Sequence, residues 1–175
     1  MREMDRDGLI MCRMQGRAFE KSLEEENSSP VFIRRFMNSN LARRMDKNYF
    51  LNTNQSETQM VEEINEDYPR KIGSMKFDKE EMYWIGYLYR YWAYIWNISS
   101  KEIYRICDGN DMRRHYHYFH SLAPEKAIEK LMEEKHYQPV CTDEEKHYET
   151  IYSSEIEERC RKIFSERLFL EKNKI

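Results

Sequence analysis

The chain has 175 residues, 35 % of them charged, and carries a net charge of −3 at pH 7. This length can bury the core of one domain, and the balanced charge excludes nucleic-acid binding through bulk positive charge alone. The charged N-terminus is unlike a secretory signal peptide. The four cysteines form no CxxC pair, which predicts reduced thiols in a cytoplasmic protein.

The predicted elements are helical along the whole chain. Residues 1–27 have the pattern of a charged helix with a weak apolar face, and we expect them to form an N-terminal extension. Pro30 opens a helix over residues 31–37, in which Arg34 and Arg35 are expected on the outside. Further helices are predicted to begin near residues 56, 78, 99, 111 and 124.

No stretch shows the polar–apolar alternation of a strand. We therefore predict an all-α fold, with a compact multi-helix core domain over residues 28–137. Residues 138–175 are predicted to form a long C-terminal helix with one apolar stripe, packed on the core or extending from it. A surface that binds another protein is expected on the first or the last helix.

The segment Met82–Trp96 is the most distinctive part of the sequence. Eight of its fifteen residues are aromatic, and Arg90 is its only charged residue. A helix that is apolar on nearly every side must be surrounded by protein, so a helix over about 79–97 is predicted at the centre of the core. The segment is too short and too rich in tyrosine to span a membrane, and no membrane contact is expected.

A helix-turn-helix unit is predicted over residues 82–107. Ala93 supplies a small residue at the helix crossing, Asn97 can adopt the left-handed turn, and Ile103 and Ile106 anchor the second helix. The outer side of the unit would contact DNA or a partner protein through Ser99, Ser100, Lys101, Tyr104 and Arg105. Two helices joined by a tight turn also occur without DNA binding, and Glu102 would repel phosphate.

Two other groups of side chains are candidate sites. Arg113 and Arg114 form a basic pair that can contact phosphate or an acidic partner, or simply lie in solvent. The histidines near Cys107, which are His115, His117 and His120, lack the spacing of a metal site, so no metal or other cofactor is predicted. Because catalytic motifs are missing, we predict a non-enzyme, with an unrecognised site in residues 104–120 as the remaining alternative.

Four stretches resemble small uncharacterised bacterial proteins encoded in toxin–antitoxin-like gene clusters. They are Ser28–Ser39, Tyr83–Trp92, Ile98–Tyr104 and His120–Ile128. The resemblance covers roughly residues 28–132. Residues 98–128 are also similar to shorter proteins of such clusters, which carry a Ser-Lys-Glu helix start and a Tyr-x-x-x-His step, matched here by Tyr116 and His120.

The resemblance implies a non-enzymatic protein, antitoxin-like or accessory, that binds a partner protein such as a toxin and neutralises it by contact. It supplies no catalytic residues. The alternative is a transcriptional regulator that binds DNA through the helix-turn-helix unit of residues 82–107. An oligomer is compatible with both hypotheses.

Overall fold

The computed structural model describes residues 2–47 and 55–137, and within these ranges the chain is helical, without strands. The helices are α1 (Arg6–Lys21), α2 (Ser29–Met37), α3 (Asn40–Asp46), α4 (Glu57–Asp67), α5 (Lys79–Trp96), α6 (Ser100–Ile106), α7 (Gly109–Phe119) and α8 (Pro124–Glu134), with a 3-10 turn at Ser22–Glu24. The predicted all-α fold is thus confirmed. The C-terminal helix predicted within 138–175 lies outside the described residues.

Helix α5 is the central element, as the aromatic segment predicts. It packs against α1, α6, α7 and α8, and Ile85, Tyr89 and Trp92 are fully buried along its length. The helix starts at a capping box between Asp78 and Glu81, in which the Glu81 carboxylate accepts from the backbone N–H of Asp78 at 2.9 Å. No helix in the described part of the chain has the length and apolar character needed to cross a membrane.

Helix α1 belongs to the core, whereas the sequence predicted an N-terminal extension. Its inner face packs along α5 and buries Met11, Cys12 and Phe19. Small residues make up much of this face, and Gly16 lies against Gly86 of α5. Apolar periodicity understates such a face, because glycine adds little apolar area although it lets two helices approach closely.

The connector between α4 and α5 is fixed by a buried arginine. Arg35 is only 7 % exposed, and its guanidinium donates to the side chain of Asn27 and to the carbonyls of Tyr68 and Arg70. The expectation that Arg35 lies outside is therefore wrong, while Arg34 is exposed as expected. The connector carbonyls are hydrogen-bond acceptors that no helix satisfies, so a buried donor is favourable there.

The turn between α5 and α6 has the predicted backbone geometry. Asn97 adopts the left-handed conformation with φ 50° and ψ 39°, and Ser99 caps α6 by accepting from the backbone N–H of Glu102. Ile103 is fully buried, as an anchor should be. The helix-turn-helix unit as a DNA-reading device stays a prediction.

Candidate functional site

An open groove with aromatic walls lies where α5 faces α7. Its volume is about 370 Å³. We call it the aromatic groove and define it by its lining residues, which are Glu20, Lys79, Glu80, Tyr83, Trp84, Tyr116 and His120. The rings of Tyr83, Trp84 and Tyr116 are half-buried, so each combines a packed side with a side open to solvent.

Helix periodicity places these rings. Met82 and Ile85 face the core, which turns Tyr83 and Trp84 toward the outside of α5. Tyr116 meets Trp84 edge to face, with ring centroids 5.6 Å apart and an interplanar angle of 78°. This geometry is favourable, because the positive edge of one ring meets the negative face of the other.

His120 extends this arrangement by one helical turn. Its ring stacks on Tyr116, with centroids 4.7 Å apart. Its Nδ1 lies 2.8 Å from the backbone carbonyl oxygen of Tyr116, so Nδ1 carries the proton and donates it. The wall formed by Trp84, Tyr116 and His120 is therefore held by ring contacts and by a backbone hydrogen bond.

The rim of the aromatic groove is acidic overall. Lys79 pairs with Glu20 at 2.9 Å, while Glu80 is exposed and forms no ion pair within the described ranges. Burial raises the pKa of Tyr116, and the negative charges of Glu80, Glu81 and Asp78 raise it further. The hydroxyl of Tyr116 therefore stays neutral and lies in a negative local field.

The predicted contact residues on α6 divide into exposed and internal groups. Ser99, Lys101 and Arg105 are exposed. Tyr104 is half-buried, and burial raises the pKa of its hydroxyl. Lys101 and Arg105 are four residues apart and thus share one face of α6.

Ser100 does not belong to this surface, contrary to the sequence-based prediction. It is 1 % exposed, and its hydroxyl accepts from Arg90 at 2.9 Å and donates to Asp46 at 2.6 Å. Its backbone N–H also donates to Asp46, at 2.9 Å. Ser100 is internal because it opens α6 directly above a buried ion pair, where its hydroxyl supplies both an acceptor and a donor.

The two arginines of the predicted basic pair have separate environments. Arg113 lies over the ring of Phe77, 4.7 Å from its centroid, and bonds the buried carboxylate of Glu81 at 3.1 Å. Arg114 is exposed and pairs with Asp111 at 2.6 Å. Arg113 therefore stabilises the packing of α7 on α5, and the pair does not form a joint contact surface.

The three histidines in α7 and at its C-terminal end have different environments. His115 stacks on Phe119 and contacts Glu134, His117 is exposed, and His120 lines the aromatic groove. Among the described residues no group of three or more histidine, cysteine, aspartate or glutamate side chains could hold a metal ion.

The aromatic groove could not be recognised from the sequence, because a helix that is apolar on nearly every side is expected to be surrounded by protein. A usable signal was the helical spacing: Tyr83 and Tyr87 are four residues apart, as are Tyr116 and His120. Such pairs mark a single face of a helix.

Comparisons of the chain with protein-family models, with curated proteins and with solved structures find no match.

Proposed function

We propose that this chain is a protein-binding module and that its aromatic groove is the contact surface. The observation that carries the proposal is the Trp84–Tyr116 pair, which forms a half-exposed wall of an open groove. Tryptophan and tyrosine supply a large share of binding energy in protein interfaces, because they bury much area at little entropic cost. The cellular role that we propose is antitoxin-like or accessory, in which the chain covers the active surface of its partner.

This site differs from the expected one on the first or last helix. The apolar face of α1 is occupied by α5, and the predicted last helix lies outside the described residues. We place the contact surface in the groove between α5 and α7 instead. Its aromatic side chains are accessible and are already held in position by the fold.

Capture of the tagged chain from its own host tests the proposal. Wild-type protein should retain a stoichiometric partner that resists nuclease, and Trp84→Ala or Tyr116→Ala should lower the retained amount about ten-fold or more, as expected for interface hot spots. Tyr118→Ala is the matched control, since Tyr118 is 76 % exposed on α7 but does not line the groove. Equal retention by all four proteins would refute the proposal, and circular dichroism shows that each variant is folded.

DNA binding by α6 is a second candidate, favoured by one observation. Lys101 and Arg105 are exposed on one face of the helix that follows the left-handed Asn97, and neither forms an ion pair among the described residues. Sheared host DNA should then bind with an affinity that falls steeply with salt. Reversal of both charges, Lys101→Glu with Arg105→Glu, should abolish that binding, and unchanged affinity would exclude this surface.

A further inference from the structure

The geometry points to a cationic side chain, lysine or arginine, from a basic segment of a partner protein as the group that enters the aromatic groove. This inference rests on the proposed function and specifies the chemistry of the partner. It is carried by three observations, which concern the other aromatic rings of the molecule, the charge of the groove rim and the ion pair of Lys79, which lines the groove.

Elsewhere in this molecule, arginines lie over aromatic rings. Arg2 lies 4.0 Å from the centroid of Tyr94, Arg113 lies 4.7 Å from Phe77, and Arg35 lies 5.4 Å from Tyr68. The negative face of an aromatic ring attracts a cation at these distances. Within the described ranges, no such cation covers Trp84 or Tyr116.

The cationic side chain that lines the groove already forms an ion pair. Lys79 lines the groove, but its ammonium pairs with Glu20 at 2.9 Å. Glu80, also on the rim, is exposed and forms no ion pair among the described residues. An incoming cation would therefore meet the half-exposed ring of Trp84 and the carboxylate of Glu80, whereas an anion would be repelled.

A cationic side chain fits these features better than a neutral apolar one. The ring face of Trp84 contributes a cation–π attraction, which is strongest for tryptophan, and Glu80 adds a charge-assisted contact at the rim. An arginine can also stack its planar guanidinium on the indole. The expected partner surface is thus a segment rich in lysine or arginine.

The direct test is an NMR titration of the full ¹⁵N-labelled chain with acetylated tetra-arginine amide. The indole N–H signal of Trp84, assigned by its loss in Trp84→Phe, should shift saturably. Tetra-citrulline has the same shape without the charge and should produce no shift. Equal shifts with both peptides, or no shift with either, would overturn the inference.

Charge variants test whether the carboxylate of Glu80 attracts the bound cation. Glu80→Lys should weaken the binding of tetra-arginine about five-fold or more, because an attractive charge on the rim is replaced by a repulsive one. Glu62→Lys, a charge reversal at an exposed position of α4, is the matched control and should leave the affinity within about two-fold. Equal effects of the two reversals would mean that only the net charge matters, which contradicts the inference.

The host partner separates this inference from the proposed function. If Trp84→Ala abolishes capture and Glu80→Lys leaves it unchanged, the groove binds a partner but not through a cation, so the inference alone fails. If capture is indifferent to both Trp84→Ala and Tyr116→Ala, the proposed function fails. Loss of capture with both variants, but not with Glu62→Lys, supports both.

Discussion

The guanidinium of Arg90 donates to the carboxylate of Asp46 at 2.7 Å, and this ion pair links the centre of α5 to the end of α3. The Arg90 side chain is 1 % exposed and that of Asp46 is 14 % exposed. Arg90 also donates to Gln15 of α1 at 2.8 Å and to Ser100 of α6 at 2.9 Å. The only charged residue of the aromatic segment thus joins four helices through one polar cluster.

Removal of one partner from this cluster should be costly. Asp46→Ala leaves the Arg90 guanidinium buried without its counter-charge, and we expect the free energy of unfolding to fall by about 3 kcal/mol. The double variant Arg90→Met with Asp46→Ala should recover part of the loss, because no charge then stays buried. Urea unfolding followed by circular dichroism measures both effects.

An exposed ion pair provides the control for this prediction. Lys130 pairs with Glu133 at 2.9 Å on the surface of α8, with side chains 54 % and 67 % exposed. Lys130→Ala should change the free energy of unfolding by less than about 0.5 kcal/mol. An Asp46→Ala loss as small as that of Lys130→Ala would contradict the role assigned to the buried pair.

The contact between α1 and α5 depends on Gly86. A Cβ atom at this position would lie 2.7 Å from the backbone oxygen of Gln15 and 3.0 Å from the Cα of Gly16. Both neighbours are backbone atoms, so the helices must separate to admit a methyl group. We expect Gly86→Ala to destabilise the protein by about 1–3 kcal/mol, although alanine favours a helix over glycine by about 1 kcal/mol.

Thermal unfolding of two glycine variants measures this effect. Gly16→Ala is the comparison, because its closest atom, at 3.0 Å, belongs to the movable ring of Tyr83, and its nearest backbone atom, the oxygen of Tyr83, lies at 3.1 Å rather than 2.7 Å. We expect a smaller loss of stability for Gly16→Ala than for Gly86→Ala. A stabilised Gly86→Ala variant would show that helix propensity outweighs the close approach.

Local signals in the sequence predicted much of this fold. The capping residues Asp78 and Ser99 and the left-handed Asn97 act on neighbouring backbone, so their effects can be recognised without knowledge of tertiary contacts. The burial of Ser100 and Arg35 could not be predicted in this way. Each is buried because a distant part of the chain supplies its hydrogen-bond partner.

The candidate site was less predictable than the fold. The aromatic segment has no polar face that would show which of its rings face outward. The sequence therefore does not distinguish the exposure of Trp84 from that of Trp92. In the structure Trp92 is fully buried while Trp84 is half-buried against Tyr116. Exposure of Trp84 depends on how α7 crosses α5, which helical periodicity does not specify.

The thiols of Cys12 and Cys107 should be chemically protected. Both side chains are fully buried, and burial raises the pKa of each thiol to about 12. Since the thiolate is the reactive form, a Cys141→Ser and Cys160→Ser double variant should react with Ellman's reagent at pH 8 only after denaturant is added. Fast reaction of two thiols in the folded variant would contradict the buried positions.

Acid should weaken the contact between α7 and α8. Burial tends to raise the pKa of Asp111, but the hydrogen bond and the charge of Lys135 lower it to a net value below its usual 3.8. The unfolded chain then binds more protons than the folded one around that pH, so stability increases with pH there. The contribution of Asp111 is present above its unfolded pKa and is lost as the pH falls through its folded pKa.

Unfolding curves at a series of pH values check this sign. Asp111→Asn should lose stability at neutral pH and should show a shallower decline than wild type as the pH falls below about 4. Asp7→Asn, at an exposed position of α1, is the control. An Asp111→Asn profile that runs parallel to the wild-type profile would exclude the contribution.

The left-handed conformation of Asn97, with φ 50° and ψ 39°, leads to the last prediction. The left-handed conformation costs about 1 kcal/mol or more for most residues with a Cβ atom. The cost is smaller for asparagine and close to zero for glycine. Asn97→Ala should therefore lower the free energy of unfolding by about 1 kcal/mol, while Asn97→Gly should retain it. Asn110→Ala, in the first turn of α7 and without a positive φ, is the matched control and should stay within about 0.5 kcal/mol of wild type. If Asn97→Ala proves as stable as Asn97→Gly, the turn can open without strain, and the placement of Lys101 and Arg105 on α6 would not depend on it.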